Sequence, residues 1–211
     1  MIKKELAKEI LKELAVANFE YNLNNLHLEE EKSQILAKRL YNHCLIAGTI
    51  AEKIAKQINL DSEKCYVLGL LHDLGRFEHK RFHGIVGYEI AMNNNFPELA
   101  KVCITHCYDD ICKIPENEFP KNEFKENDIK KVAELTNNFI LDDYDKLIRL
   151  CDFMSIGDSL NAVTIEERAL DIATRYNVPD DECKVLLKSI NGIKNYFENK
   201  YGINIYELLE N

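Results

Sequence analysis

Apolar residues recur every third or fourth position through almost the whole chain, and no stretch alternates with the two-residue period of a strand. That property restricts the chain to an all-α fold, a bundle of amphipathic helices around a shared core. Ile2 to about Leu23, with apolar residues at 2, 6, 10, 14 and 17, reads as a packing helix that covers the core. Glu29 to about Asn59 forms a long second helix whose apolar face runs Leu36, Leu40, Ala47, Ile50, Ile54. Asp61 and Ser62 supply an N-cap for a helix carrying Cys65, Leu68, Leu71 and His72, with Gly75 as its stop. A helix begins near His83 and ends in Asn93 to Asn95, and Pro97 opens the next as an N1 proline. Residues 108–125 hold prolines, phenylalanines and many charges, and read as an irregular loop and candidate lid. Helices are expected over Asp128–Phe139, Asp142 to about Ile156, Thr164–Tyr176 and Asp180–Lys200, with a short last one near 204–210.

Several of these apolar faces carry ionisable residues. His43 follows Leu40 by three positions and precedes Ala47 by four. His72 and Asp73 sit side by side where an apolar run ends, and His106 shares a face with Leu99, Val102 and Cys103. Asp152 adjoins the inward face of Tyr144, Leu147, Ile148 and Cys151. A buried polar group without a partner costs on the order of 1–3 kcal/mol, so each of these calls for a hydrogen bond or a cation. His27 and His79 lie in polar surroundings and read as exposed.

The formal net charge of −9 argues against bulk binding to nucleic-acid backbones. The seven cysteines, at 44, 65, 103, 107, 112, 151 and 183, form no CxxC pair. They read as reduced core thiols of a cytoplasmic protein and receive no catalytic role. The first ten residues are charged throughout, and no segment is long and apolar enough to be a signal peptide or a membrane span.

In chain order the inward residues are His43, His72, Asp73, His83, His106 and Asp152, with gaps of 29, 1, 10, 23 and 46 residues. They come from several helices and can converge inside a bundle. Imidazoles and carboxylates without thiolates suit iron, manganese, magnesium or zinc. Six ligands exceed what one substrate-accepting metal takes, and suit two metals bridged by a carboxylate, for which Asp73 is the natural candidate. The loop after His72 and Asp73 carries Arg76, Lys80 and Arg81, a basic cluster beside the candidate ligands that on its own could be no more than a solvated loop.

At these residues the chain resembles the HD-domain superfamily of metal-dependent phosphohydrolases. His43, His72-Asp73 and Asp152 match its defining pattern, and Gly69-Leu-Leu-His-Asp-Leu-Gly-Arg-Phe77 is close to the usual form of its motif. The resemblance runs from about Tyr41 to Ile156, with Arg168 to Tyr176 as an extension. His83-Gly-Ile-Val-Gly-Tyr88 and Ile104-Thr-His106 are similar to segments of the two-metal subgroup, which includes hydrolases of diadenosine tetraphosphate. The Asp73-to-His83 gap is shorter than theirs. The chain also lacks the Gly-Tyr-Pro signature of cyclic-dinucleotide phosphodiesterases and the Glu-Asp motif of alarmone hydrolases.

The resemblance implies an all-helical fold with a five-helix core. It implies a first metal on His43, His72, Asp73 and Asp152, and a second on Asp73, His83 and His106, the last three being the catalytic candidates. The expected domain spans residues 1–211, with its metal-binding core at about 35–156 and helices 2–23 and 164–210 packed on it. The implied activity is hydrolysis of a phosphate ester or anhydride by a metal-activated water. The expected cofactors are two divalent ions (Fe, Mn, Mg or Zn), and the expected substrate is a nucleotide or another small phosphorylated metabolite. No membrane partner is expected, and a homodimer is left open. Two alternatives share the pattern: a di-iron oxygenase of the same superfamily and a non-catalytic HD signalling module.

Overall fold

The computed structural model describes residues 2–77, 83–108, 134–135, 138–159 and 161–210, and among these there are helices and no strand. Helix α1 (Lys4–Asn24) lies on α2 (Glu30–Gln57) and α3 (Ser62–Leu71). Helices α4 (His83–Asn93) and α5 (Pro97–Tyr108) pair with each other, and α5 also packs on α6 (Asp143–Phe153). Helix α6 in turn touches α2 and α3. Helices α7 (Ile165–Tyr176), α8 (Asp180–Tyr201) and α9 (Ile205–Glu210) close the bundle, with α8 on α6 and α9 on α2. No described helix is long and apolar enough to cross a membrane.

Local chemistry sets most of these boundaries. The Asp61 carboxylate accepts from the Lys64 N–H and caps α3. Asp142 with Asp145, and Thr164 with Glu167, form capping boxes at the starts of α6 and α7. Asn95 and Asn177 take the left-handed conformation that ends a helix, and asparagine tolerates it better than most residues.

The main core draws on Leu11, Ile54, Leu71, Leu147, Leu150, Ile165 and Phe197, so helices from both ends of the chain bury side chains in one cluster. A close crossing joins α2 to α3. A Cβ on Gly69 would lie 2.8 Å from the Gly48 Cα, and a Cβ on Gly48 would lie 2.8 Å from the Tyr66 carbonyl oxygen. Side chains ordinarily hold helix axes about 8–10 Å apart. Here their absence lets two backbones touch, next to the residues of interest.

Two expectations need correction. The buried face of α1 is Ala7, Leu11, Leu14, Asn18 and Asn22, while Leu6 is 48% exposed. The two asparagines belong to that face because they are hydrogen-bonded: Asn22 Nδ2 donates to Asn18 Oδ1 (2.8 Å), and Asn18 Nδ2 to the Arg76 carbonyl (3.2 Å). Helix α3 stops at Leu71, four residues before Gly75. The chain continues in tight turns, with the Leu74 N–H on the Leu71 carbonyl and the Arg76 N–H on the Asp73 carbonyl, which leaves His72 and Asp73 just past the helix end. Residues 109–125 of the expected lid, and most of the helix expected over Asp128–Phe139, lie outside the described residues.

Candidate metal centre

All six candidate ligands arrive in one place. His43 comes from the middle of α2, His72 and Asp73 from the turn after α3, His83 from the start of α4, His106 from the last turn of α5 and Asp152 from the end of α6. Around a first point, His43 Nε2 lies 2.9 Å from Asp152 Oδ1, 3.2 Å from His72 Nε2 and 3.6 Å from Asp73 Oδ2. His72 Nε2 lies 3.3 Å from Asp152 Oδ1 and 3.8 Å from Asp73 Oδ2. Around a second point, His83 Nε2 and His106 Nε2 are 3.2 Å apart, at 3.0 and 3.5 Å from Asp73 Oδ1. The two oxygens of one carboxylate thus face two different histidine pairs.

The rings are fixed from behind. His43 Nδ1 donates to the Ser155 carbonyl (2.9 Å), His72 Nδ1 to the Gly69 carbonyl (2.7 Å) and His106 Nδ1 to the Val102 carbonyl (3.0 Å). A carbonyl only accepts, so each of these Nδ1 atoms carries a proton and Nε2 is the nitrogen turned inward, presenting a lone pair whenever the ring is neutral. Imidazole nitrogens thus face one another and carboxylate oxygens. Donors about 2.0–2.2 Å from one cation stand roughly 2.9–3.6 Å from each other, and the observed separations fall in or just beyond that range. The donor set therefore fits divalent metals, and backbone carbonyls holding the far nitrogens are the usual support of such sites.

The electrostatics agree. Burial alone would raise Asp73, but Arg76, His83, His72 and His106 outweigh it and hold its carboxyl well below the usual range. Burial likewise opposes ionisation of Asp152, and its contacts with His43 and His72 bring it well down. Burial disfavours the imidazolium of His72, but Asp73 and Asp152 raise the ring to about 9. Burial lowers His106, with its histidine neighbours adding to the effect and Asp73 opposing it. Two ionised carboxylates make a cavity that calls for positive charge, which a proton on His72 supplies and which a bound cation would supply in its place.

Close backbone contacts build the second half. A Cβ on Gly75 would fall 2.2 Å from the His83 carbonyl oxygen and 2.5 Å from the Gly87 nitrogen. The turn after Asp73 is thereby pressed onto the first turn of α4, which brings His83 to Asp73. The Arg76 guanidinium returns to Asp73, with Nη1 3.2 and 3.3 Å from its two oxygens. Asp73 is 1% exposed, whereas Asp152 is 26% and Arg76 38% exposed, so the centre opens on the side of Asp152 and Arg76. Lys80, Arg81 and His79 lie outside the described residues; His27 is exposed.

Two residues at the site escape a reading of apolar faces. Cys107, next to His106, places its Sγ 2.9 Å from both His83 Nε2 and His106 Nε2. Burial pushes its thiol well up, and Asp73 and Asp152 add to that. The signal for it is adjacency to a candidate ligand in the last turn of a helix. Arg149, three residues before Asp152 on α6, is a buried cation; burial lowers its pKa, and Asp152 and Cys107 oppose that.

The HD domain family model matches residues 40–178, a span that contains all six candidate ligands. Among curated proteins, the chain is 25% identical over 162 residues to Ribonuclease Y of Mycoplasma capricolum, covering 75% of this chain and 31% of the relative. It is 27% identical over 157 residues to Ribonuclease Y of Malacoplasma penetrans (70% of this chain, 33% of the relative). Ribonuclease Y of Mycoplasmoides gallisepticum is 24% identical over 178 residues (82% and 26%). The chain therefore spans about a third or less of the length of these relatives. No solved structure matches it.

Proposed function

The chain belongs to the HD domain family, and on that footing we propose that it is a metal-dependent phosphohydrolase. It cleaves a phosphate ester or anhydride of a nucleotide or another small phosphorylated metabolite. The observation that carries this reading is Asp73, whose Oδ2 faces His43 and His72 while its Oδ1 faces His83 and His106. His43, His72, Asp73 and Asp152 would hold one divalent cation, and Asp73, His83 and His106 a second. Bound there, such cations supply Lewis acidity toward phosphate oxygens and make water a nucleophile at neutral pH.

The chain's own residues do the positioning. The carbonyls of Ser155, Gly69 and Val102 keep His43, His72 and His106 as inward acceptors. With the Nε2 of each turned to a cation, none of the three is assigned as a general acid. Arg76 holds Asp73 in its shared orientation, and its partly exposed guanidinium stands at the mouth where a phosphate oxygen enters. Lys80 and Arg81 follow on the same stretch of sequence and are assigned to the same anion.

The relatives favour a second reading, in which the bond cleaved is a phosphodiester of RNA. The net charge of −9 opposes docking of a long polyanion across the surface, so a short oligonucleotide is the form this chain would take. The test is a panel of nucleotides, phosphate monoesters and short RNAs with Mn²⁺ or Fe²⁺, wild type beside Asp73→Ala. Turnover by the wild type and its loss in the variant is the expected result; equal rates in both reject the assignment. Oxygen uptake by the iron-loaded protein with no phosphate release would favour an oxygenase instead.

A further inference from the structure

Among the described cysteines, Cys44, Cys65, Cys103 and Cys151 are buried in the core, and Cys183 sits half-buried on α8. Cys107 differs, because its sulfur enters the nest of His83 and His106. Neighbouring residues on a helix point about 100° apart, so a helix face would ordinarily present only one of His106 and Cys107. Here both reach the same point. The sulfur is 2.9 Å from each imidazole Nε2, the two nitrogens are 3.2 Å apart, and Asp73 Oδ1 is 3.0 and 3.5 Å from them. A thiol has one weak proton and can serve one acceptor, not two at equal distance. A shared cation satisfies the sulfur and the two nitrogens, with Asp73 Oδ1 beside both imidazoles: with metal–sulfur near 2.3 Å and metal–nitrogen near 2.0–2.1 Å, ligands at a right angle stand about 3.1 Å apart.

We propose that Cys107 is a protein ligand of the second position, so that His83, His106, Asp73 and Cys107 form a mixed nitrogen, oxygen and sulfur site selective for a borderline-soft cation. The inference rests on the reading of the two nests as cation sites. The class of ion is Zn²⁺, Fe²⁺ or Co²⁺ in preference to Mg²⁺ or Mn²⁺, because a thiolate favours the softer ions. The first position, with His43, His72, Asp73 and Asp152, offers nitrogen and oxygen alone and lacks that preference. The two ends of Asp73 therefore differ in the metal they favour.

The experiment uses the full chain, stripped of metal and reloaded with Co²⁺ without oxygen, as wild type, Cys107→Ser, Cys107→Ala and Cys183→Ser. Bound cobalt is counted by elemental analysis, and thiolate ligation is read from the thiolate-to-cobalt charge-transfer absorption in the near ultraviolet. The wild type and Cys183→Ser should show the band, and both Cys107 variants should lose it. Competition should show Zn²⁺ held about 10–100-fold more weakly at one position of Cys107→Ser, with Mn²⁺ little changed. Alkylation of the wild type, mapped by mass spectrometry with and without Zn²⁺, keeps the test independent of how the variants fold, and Cys107 should be protected by the metal. Cobalt bound without the band, or Cys107 labelled equally in both states, overturns the ligand assignment and leaves the metal centre standing. A wild type that binds no cobalt overturns both.

Discussion

Gly69 packs directly on Gly48, and a Cβ on Gly69 would meet the Gly48 Cα at 2.8 Å and the Ala47 carbonyl oxygen at 2.9 Å. His72 follows Gly69 by three residues and donates to its carbonyl, while His43 precedes Gly48 by five. The glycine contact therefore sets the approach of two candidate ligands. Gly69→Ala would push backbone against backbone, with no flexible side chain to yield. We expect a loss of about 3 kcal/mol, roughly 6–12 °C in Tm, and metal content reduced in parallel. Thermal unfolding and elemental analysis of the variant test this; an unchanged Tm would show that the helices part at no cost.

Gly157 offers a separate handle on one position. A Cβ there would fall 2.2 Å from the Arg39 carbonyl oxygen, so the segment after α6 must move away from α2. That segment carries the Ser155 carbonyl that holds His43 Nδ1, and the Gly157 carbonyl accepts from Asn42. Gly157→Ala should weaken metal binding at the His43 position by about 10–100-fold, the usual cost of losing an outer-shell partner. His106 is held instead by the Val102 carbonyl on α5, so the position of His83 and His106 should keep its affinity. Titration of the stripped protein with metal, resolved into two steps, distinguishes the positions; equal weakening of both would refute the assignment of Ser155 to one.

The convergence of His43, His72, Asp73, His83, His106 and Asp152 was legible in the sequence because a histidine or an aspartate on an apolar stripe demands a partner, and each of the six lay on or beside one. The buried face of α1 was not legible in the same way. Its sequence holds two overlapping stripes, and the one that packs includes Asn18 and Asn22, whose burial makes sense only once the Arg76 carbonyl is in place. Cys107 reads as a core thiol in the sequence because periodicity assigns a residue to a face and cannot see a helix end where two neighbours reach one point. The Gly48–Gly69 contact needed the topology itself, since a glycine in a helix carries no mark of what it touches.

Asn18 links α1 to the candidate site through the Arg76 carbonyl, 3.2 Å from its Nδ2. Asn18→Leu keeps the branched shape, removes both the donor to the Arg76 carbonyl and the acceptor of Asn22 Nδ2, and leaves those two groups without these partners. The expected cost is about 1–2 kcal/mol, measured by urea unfolding. If Arg76 binds substrate phosphate, the same variant should raise KM more than it lowers kcat, because the guanidinium loses its backbone anchor while the ligand nests stay intact.

Asp143, at the start of α6, is held by three side chains of α8: the Tyr196 hydroxyl (2.7 Å), the Tyr201 hydroxyl (2.5 Å) and Lys200 Nζ (2.8 Å). Burial acts to raise its carboxyl, but these hydrogen bonds outweigh it and lower it to about 2. The unfolded chain has an aspartate near 3.9. A depressed folded value means that the contribution is full above about pH 4 and is lost as pH falls from about 4 to about 2. Solvent screening at this rim position reduces the contribution to about 1 kcal/mol. Urea unfolding of the wild type beside Asp143→Asn should therefore show a gap of that size at pH 7 and pH 5 that narrows by pH 3. A gap unchanged from pH 7 to pH 3 would mean that the Asp143 charge is not what clasps α8 to the helix carrying Asp152.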